Sequence, residues 1–311
     1  MRKVLITEYM LPLMTEKLQE IGYVPIVKSD ISYEQLIQEI NDYEGIIIST
    51  RTKIDKQLID NASNLKFVGR VGSGMEHVDI DYCTKKGIRC FSSPEGNANA
   101  VGEHCLGMLL SLIRNMRRSQ NELLQNIWKR KENTGFELDG KTIGIIGFGH
   151  TGPAFAKKLQ GFDTKLLILD PFKNINETAQ TKSSTLSIIQ KEADIISFHV
   201  PYNKKTHHYI DKAFIAKCEK KPILINTSRG AVAKTEDLIF ALENEQIGGL
   251  CIDVYEDEPL DKGIQNSFGM YKKLVAYDNV IATSHIAGWT WEAKEKMINI
   301  LVDKIDHWQK G

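Results

Sequence analysis

Short apolar runs alternate with amphipathic stretches along most of this 311-residue chain, and that alternation limits the possible folds more than any other feature. Residues 3–7, 24–27, 45–49, 66–71 and 88–91 read as strands, with helical patterns at 12–21, 33–41, 55–61 and 79–86 between them. Val101, Cys105, Met108, Leu109, Leu112, Ile113 and Met116 share one face of a helix over 101–116. A charged stretch, 117–133, reads as a solvated connection. A second series follows, with strands at 142–147, 166–169, 195–200, 223–226, 249–254 and 280–283. Strands separated by helices return parallel to one another, so each series predicts a parallel sheet covered by helices on both faces. The last helix, 290–308, carries Met297, Ile298, Leu301, Val302, Ile305 and Trp308 on one face. If it returns to the first series, the chain has a discontinuous domain, 1–98 plus 289–311, and a second domain, 99–288, with a cleft between them.

Composition narrows the function classes. Hydrophobic residues at 42% and charged residues at 26% suit packed cores rather than disorder. Lys+Arg and Asp+Glu both number 40, so no basic surplus favours nucleic acid or an anionic membrane surface. Glu8 interrupts the first apolar run, so no signal peptide is expected, and no run approaches the ~20 apolar residues of a membrane span. Cys83, Cys90, Cys105, Cys218 and Cys251 form no C-x-x-C pair, and four of them fall in or beside apolar runs and read as small buried hydrophobes, with a reducing cytoplasm expected. His77, His207 and His208 show no metal-ligand spacing, and no metal is expected.

The sharpest motif follows the first strand of the second series, where Gly147, Gly149 and Gly152 form G-x-G-x-x-G and open a helix read at 153–160. Gly147 permits a tight turn, Gly149 lets backbone approach a pyrophosphate, and Gly152 allows close helix–strand packing. The free N–H groups of the helix start would face the phosphates, and Pro153 is tolerated there because a first-turn N–H has no partner to lose. Asp170 ends the next strand, where a carboxylate accepts hydrogen bonds from ribose hydroxyls and repels a 2′-phosphate. The expected cofactor is NAD, and the fold class is α/β with two doubly wound domains of Rossmann and flavodoxin-like type.

Three later strands end in Asn226-Thr-Ser-Arg229-Gly230, in Asp253 through Glu258-Pro259, and in His285-Ile-Ala-Gly288. Carboxyl ends of strands line the ligand crevice of such sheets, so Arg229, Glu258 and His285 are candidates to converge there. With Asn97-Ala-Asn-Ala-Val-Gly-Glu-His104, the glycine motif with Asp170, and His199-Val-Pro201, these stretches make the chain resemble the D-isomer-specific 2-hydroxyacid dehydrogenases, from about residue 66 to 288.

The resemblance implies a small 2-hydroxy or 2-keto acid as substrate and assigns roles. Arg229 would grip the carboxylate and the carbonyl oxygen, His285 would be the general acid–base, and Glu258 would orient the imidazole. It also implies cofactor contacts at His150, Thr151, Val200, Thr227 and Asp253, with Asp253 meeting the nicotinamide carboxamide. Backbone N–H groups of Val71-Gly-Ser73-Gly74 would bind the substrate carboxylate. His104 and His199 read as structural, and Trp289 or Trp291 as pocket lining or core. Relatives acting on phosphoglycerate commonly carry an arginine after the third strand, where this chain has Ser49, with Arg51 two residues on. Met75-Glu-His77 and Ser284 also depart from the family pattern. The end at Gly311 predicts no C-terminal regulatory domain. Glyoxylate, hydroxypyruvate, pyruvate and 3-phosphoglycerate chemistry all fit. The rival from another class is an NADH-sensing binding protein of the corepressor kind, which the intact Arg–Glu–His set disfavours. A formate dehydrogenase is disfavoured too, since Gln stands at the Glu258 position there. Family members are commonly homodimers, and the 101–116 helix is the expected contributor.

Overall fold

A computed structural model describes residues 2–258 and 265–311; Pro259, the end of one motif above, lies outside them. In chain order the elements are β1 (Lys3–Ile6), α1 (Leu13–Glu20), β2 (Val24–Val27), α2 (Tyr33–Glu39), β3 (Gly45–Ile48), α3 (Lys56–Asp60), β4 (Phe67–Arg70), α4 (Ile80–Lys85), β5 (Arg89–Ser92) and α5 (Pro94–Ile113). Then follow α6 (Met116–Leu124), β6 (Thr142–Ile146), α7 (Thr151–Lys158), β7 (Lys165–Leu169), β8 (Thr181–Ser183), α8 (Leu186–Glu192), β9 (Ile195–Phe198), α9 (Lys212–Ile215) and β10 (Ile223–Asn226). The last are α10 (Thr235–Glu243), β11 (Gly249–Ile252), α11 (Gln265–Ala276), β12 (Val280–Ala282) and α12 (Trp291–Lys310). The chain divides into two compact units, 1–98 with 289–311, and 99–288.

The first unit is a five-stranded parallel sheet in the order β2-β1-β3-β4-β5. Its strands are apolar on both faces, as burial on both sides demands. Leu5, Ile46, Ile48 and Val68 pack against Leu36, Leu58, Ile59 and Cys83 from α2, α3 and α4. Val4, Ile6, Ile47 and Phe67 face the other way, onto Met14 and Leu18 of α1 and Ile298, Leu301, Val302 and Ile305 of α12. Full burial of a Leu or Ile is worth about 1.5–3 kcal/mol, so the apolar stripe of α12 is reason enough for the chain to return to this sheet. Thr290 caps that helix, its hydroxyl accepting the Ala293 N–H at 3.1 Å, and Trp308 packs edge-on to Phe67 at 5.9 Å. Pro25 sits on β2, an edge strand, where a missing N–H costs no ladder bond.

The second unit holds a seven-stranded parallel sheet in the order β12-β11-β10-β9-β6-β7-β8. One face carries Cys105, Leu109 and Ile113 of α5 with Phe155 of α7 and Leu159 just past it. The other carries Ile189 of α8, Phe214 of α9, Leu238 and Leu242 of α10 and Leu274 of α11.

Several elements differ from the sequence reading. The seventh strand, β8, is polar and three residues long; it pairs only with β7 and has no apolar run to announce it. The stretch after residue 116 is solvated as expected but helical: α6 buries no residue and is held instead by Arg117, which donates to Val275 O at 2.8 Å and Tyr277 O at 2.6 Å. The helix read at 101–116 starts at Pro94, a residue preset for a first helical turn, and stops before Asn115, which is left-handed at φ +51°. Strands read to 147, 200 and 254 end at Ile146, Phe198 and Ile252, where the chain turns into the loops described next.

Candidate active site

The second sheet reverses its winding between β6 and β9, the point where open α/β sheets take their ligands beyond the strand ends. Gly147 follows β6 at φ +92°, and a Cβ on it would lie 2.5 Å from His199 O, so no other residue fits. A Cβ on Gly152 would lie 2.3 Å from Gly147 O, which is the close helix–strand approach the motif predicts. At Gly149 a Cβ would meet nothing within 4 Å, so the middle glycine leaves open space. His150, at the N-cap of α7, supplies no side-chain cap to the helix start. The Asp170 carboxylate accepts from Phe148 N at 2.7 Å and Phe172 N at 2.9 Å, tying the end of β7 to the glycine loop. Four acceptor sites on a carboxylate leave capacity for further donors. Open space, uncapped helical N–H groups and an acid at the neighbouring strand end fit a dinucleotide.

His199 is buried beneath this loop. One ring nitrogen meets Thr151 Oγ1 at 3.0 Å and the other Ser197 Oγ at 2.8 Å, and burial lowers its pKa to about 3. It is a neutral strut that holds Thr151. Thr227 is buried against Cys105, with Oγ1 at 3.2 Å from Sγ, and Val200 borders Gly147.

Arg229, Glu258 and His285 come together at the ends of β10, β11 and β12. Asn226, fully buried, shapes the first of these loops: its Oδ1 accepts from Ser228 N at 3.1 Å, and its Nδ2 donates to Arg229 O at 3.1 Å. The next residue must be glycine, because a Cβ on Gly230 would lie 1.8 Å from Tyr255 O. That approach sets the Arg229 loop directly against the loop that carries Glu258. Glu258 is held from below by Tyr255, whose N–H donates to Oε1 at 2.6 Å. Its other oxygen bonds Nδ1 of His285.

His285 itself is left-handed at φ +56°, and the segment around it hangs from Asp253. Asp253 has no exposed surface; it accepts from Ile286 N and Ala287 N, each at 2.9 Å, and from the Thr283 hydroxyl, while its main-chain oxygen accepts His285 N at 2.8 Å. These three bonds leave the carboxylate one further acceptor site, beneath a side chain with no exposed surface. His104 completes the anchor, Nε2 lying 2.9 Å from Thr283 Oγ1. The imidazole of His285 is about half exposed, at 48%. Its pKa is raised above the ordinary histidine value by the hydrogen bond to Glu258, against partial burial and the nearby Arg229 charge. An acid–base group held by a carboxylate on one nitrogen, beside a guanidinium, can pass a proton to an anion-tethered carbonyl.

Asn226, Gly230 and Tyr255 are positioning residues the sequence reading did not single out. The first two sit inside the Asn226–Gly230 stretch, so a signal was present; Tyr255 acts through its backbone N–H, which no sequence pattern reveals. Ser73 and Gly74 follow β4 in the first unit. Gly72, at φ +135°, exchanges hydrogen bonds with Ser93, and the Ser73 hydroxyl donates to Asn97 Oδ1 at 3.0 Å. Among the described residues no group of three or more His, Cys, Asp or Glu is placed to hold a metal, and no helix is long and apolar enough to cross a membrane.

Residues 106–287 match the profile of the D-isomer specific 2-hydroxyacid dehydrogenase, NAD binding domain. The chain is 31% identical to a hydroxypyruvate reductase of Thermotoga maritima over 291 residues, covering 94% of this chain and 93% of that protein. It is 32% identical to a D-3-phosphoglycerate dehydrogenase of Archaeoglobus fulgidus over 311 residues, but covers 99% of this chain and only 58% of that longer protein. Among solved structures, a D-lactate dehydrogenase from Aquifex aeolicus complexed with NAD and lactic acid superposes with a TM-score of 0.86 at 28% identity, covering 100% of this chain and 96% of that one.

Proposed function

The chain belongs to the D-isomer specific 2-hydroxyacid dehydrogenase family, and we propose that it moves a hydride between NAD and a small D-2-hydroxy acid or the matching 2-keto acid. The observation that carries this reading is the His285–Glu258 pair set beside Arg229, with the His285 pKa raised by Glu258. Gly147, Gly149, His150, Thr151 and Gly152 would hold the pyrophosphate, Asp170 the ribose, and Val200, Thr227 and Asp253 the nicotinamide end. NAD, when bound, supplies the hydride acceptor, and NADH the donor.

The rest of the chemistry belongs to the protein. Arg229 holds the substrate's carboxylate and carbonyl oxygen through paired N–H donors, and so fixes which face of C2 is presented. In the first unit, the backbone N–H groups of Ser73 and Gly74 would be the groups offered to a substrate carboxylate. His285, as imidazolium, gives its Nε2 proton to the keto oxygen during reduction and takes it back during oxidation. Glu258 keeps the Nδ1 proton in place and stabilises the charged ring, so that Nε2 is the nitrogen that exchanges.

All five cysteines are free, which suits a reducing cytoplasm, and that compartment is part of the reading. So is a homodimer. The apolar face of α5 is spent on its own core, whereas Met116, Leu123, Leu124 and Trp128 are exposed on and beyond α6 and offer the better contact surface. A monomeric mass by light scattering would reject the dimer. The activity is tested by NADH oxidation against hydroxypyruvate, glyoxylate, pyruvate, 2-ketoglutarate and 3-phosphohydroxypyruvate. Turnover of one well above the rest is expected, and NADH binding without turnover of any would sink the enzyme reading.

A further inference from the structure

His207 and His208 stand on the loop that runs from β9 to α9, outside the site described above. His208 is left-handed at φ +50°, a conformation that residues other than glycine hold only where their surroundings enforce it. The enforcing contacts reach two of the strand-end loops. The His208 N–H donates to Ala231 O at 2.8 Å, two residues past Arg229. Its ring Nε2 lies 2.7 Å from Oε1 of Glu256, two residues before Glu258. The ring is held in place: His207 stacks on it at 3.8 Å and 23°, and Tyr202 meets His207 edge-on at 5.9 Å.

Glu256 joins several pieces of the second unit. Its other oxygen accepts Thr235 N at 2.6 Å, at the start of α10, where Lys234 supplies no side-chain cap. Its backbone lies against Gly230, where a Cβ would fall 2.6 Å from Glu256 N. A carboxylate fixed by two donors also fixes the peptide that carries it. That peptide leads back to Tyr255, whose N–H holds Glu258, and Glu258 bonds Nδ1 of His285. The path runs from His208 to Glu256, along one peptide to Tyr255, and on to Glu258 and His285, all within the second unit.

From this arrangement we infer that His208 is a positioning residue for the loops that carry Arg229 and Glu258, acting through Glu256. The inference rests on the dehydrogenase reading above. Without the ring's bond to Glu256, the segment from Tyr255 to Glu258 loses one of its anchors, and the Glu258 carboxylate is held less closely against Nδ1 of His285. A carboxylate that supports the imidazolium less lets the ring give up its proton at lower pH.

The left-handed backbone supplies the test. Asparagine accepts that conformation well, but its amide stops short of Glu256. Glutamine carries an amide nitrogen out to the region of Nε2. His208→Asn should therefore keep its Tm near that of wild type while the pH limb of kcat/KM for hydroxypyruvate moves to lower pH. Above the limb the loss should be about three- to tenfold, the size of one hydrogen bond. His208→Gln should restore most of it, and NADH affinity by fluorescence titration should stay the same in both. The groups that bear on His285 (Glu258, Asp253 and Arg229) and on His208 (Glu256 and His207) are unaltered in these variants. An unmoved limb in His208→Asn overturns the inference, and so does a His208→Gln no better than His208→Asn. If wild type turns over no 2-keto acid, the dehydrogenase reading falls by itself. The ionisation of His285, followed by NMR of its ring protons and assigned by their loss in His285→Ala, then decides. It should come at lower pH in His208→Asn than in wild type, and an equal value refutes the positioning role. Should His208→Asn not fold, Glu256→Gln, which keeps one acceptor for Thr235 N and gives up the other, makes the same comparison with the same two outcomes.

Discussion

The two units solve the same architectural problem with opposite results at the crevice. Both are parallel sheets wound in both directions from a central pair of strands. In the second unit the loop after the first strand is glycine, with open space at Gly149 and an uncapped helix start behind it. In the first unit the corresponding loop carries Glu8, whose carboxylate satisfies the facing N–H groups from within. The lesson is that winding fixes where a crevice lies, while the side chain at the strand end decides whether the facing N–H groups are already satisfied. The units differ as well in where the proposed catalytic groups stand: Arg229, Glu258 and His285 all lie in the second. The expected division is chemistry in the second unit and substrate selection in the first.

That division is easiest to break at His285. Replacement by Ala should lower kcat for keto-acid reduction by about 10²–10⁴-fold while NADH affinity, read by fluorescence titration, stays the same. Unchanged turnover would remove the acid–base assignment. Glu258→Gln should act through pH. Because the raised pKa favours the protonated ring, kcat/KM for reduction is level at low pH and falls as pH climbs through that raised value. In Glu258→Gln the fall should begin at lower pH, each unit of displacement costing about tenfold above the limb. An unmoved limb would mean that Glu258 does not set the ionisation. Asp170→Ala should shift the preference for NAD over NADP by about tenfold, since a ribose acceptor and a charge against the 2′-phosphate go together; an unaltered cofactor ratio would place that preference elsewhere. The smallest effect is expected in the first unit. Ser73→Ala removes the hydrogen bond to Asn97 that pins the β4 loop, worth about 1 kcal/mol, and should raise KM a few-fold with kcat nearly constant. A loss in kcat of the size expected for His285→Ala would contradict the division of labour.

Much of this was readable in advance, and for definite reasons. The apolar strands announce themselves because both faces are buried, so periodicity and burial coincide at Ile46–Ile48 and Ile143–Ile146. The glycine motif is legible because Gly147 and Gly152 are required by backbone closeness, a constraint on residue type at a fixed position. β8 was not legible: a three-residue polar edge strand is stabilised by its neighbour's ladder, not by its own side chains. Nor was α6, whose helix buries nothing and depends on Arg117 reaching carbonyls some 160 residues away. Gly230 lay inside a motif that was noticed, yet its reason, a backbone 1.8 Å from where its Cβ would be, exists only in three dimensions.

By itself the sequence determined the α/β class, the position of the dinucleotide loop and the three strand ends that carry Arg229, Glu258 and His285, because each is written as local periodicity or as a residue type at a strand terminus. Only the tertiary structure decided that Asp253 anchors the His285 loop, that the Tyr255 N–H holds Glu258 from below, and that Glu8 holds the loop after β3. The first and last of these depend on hydrogen bonds between residues 33 and 41 positions apart, and a buried polar group takes whichever partner the packed sheet brings within reach.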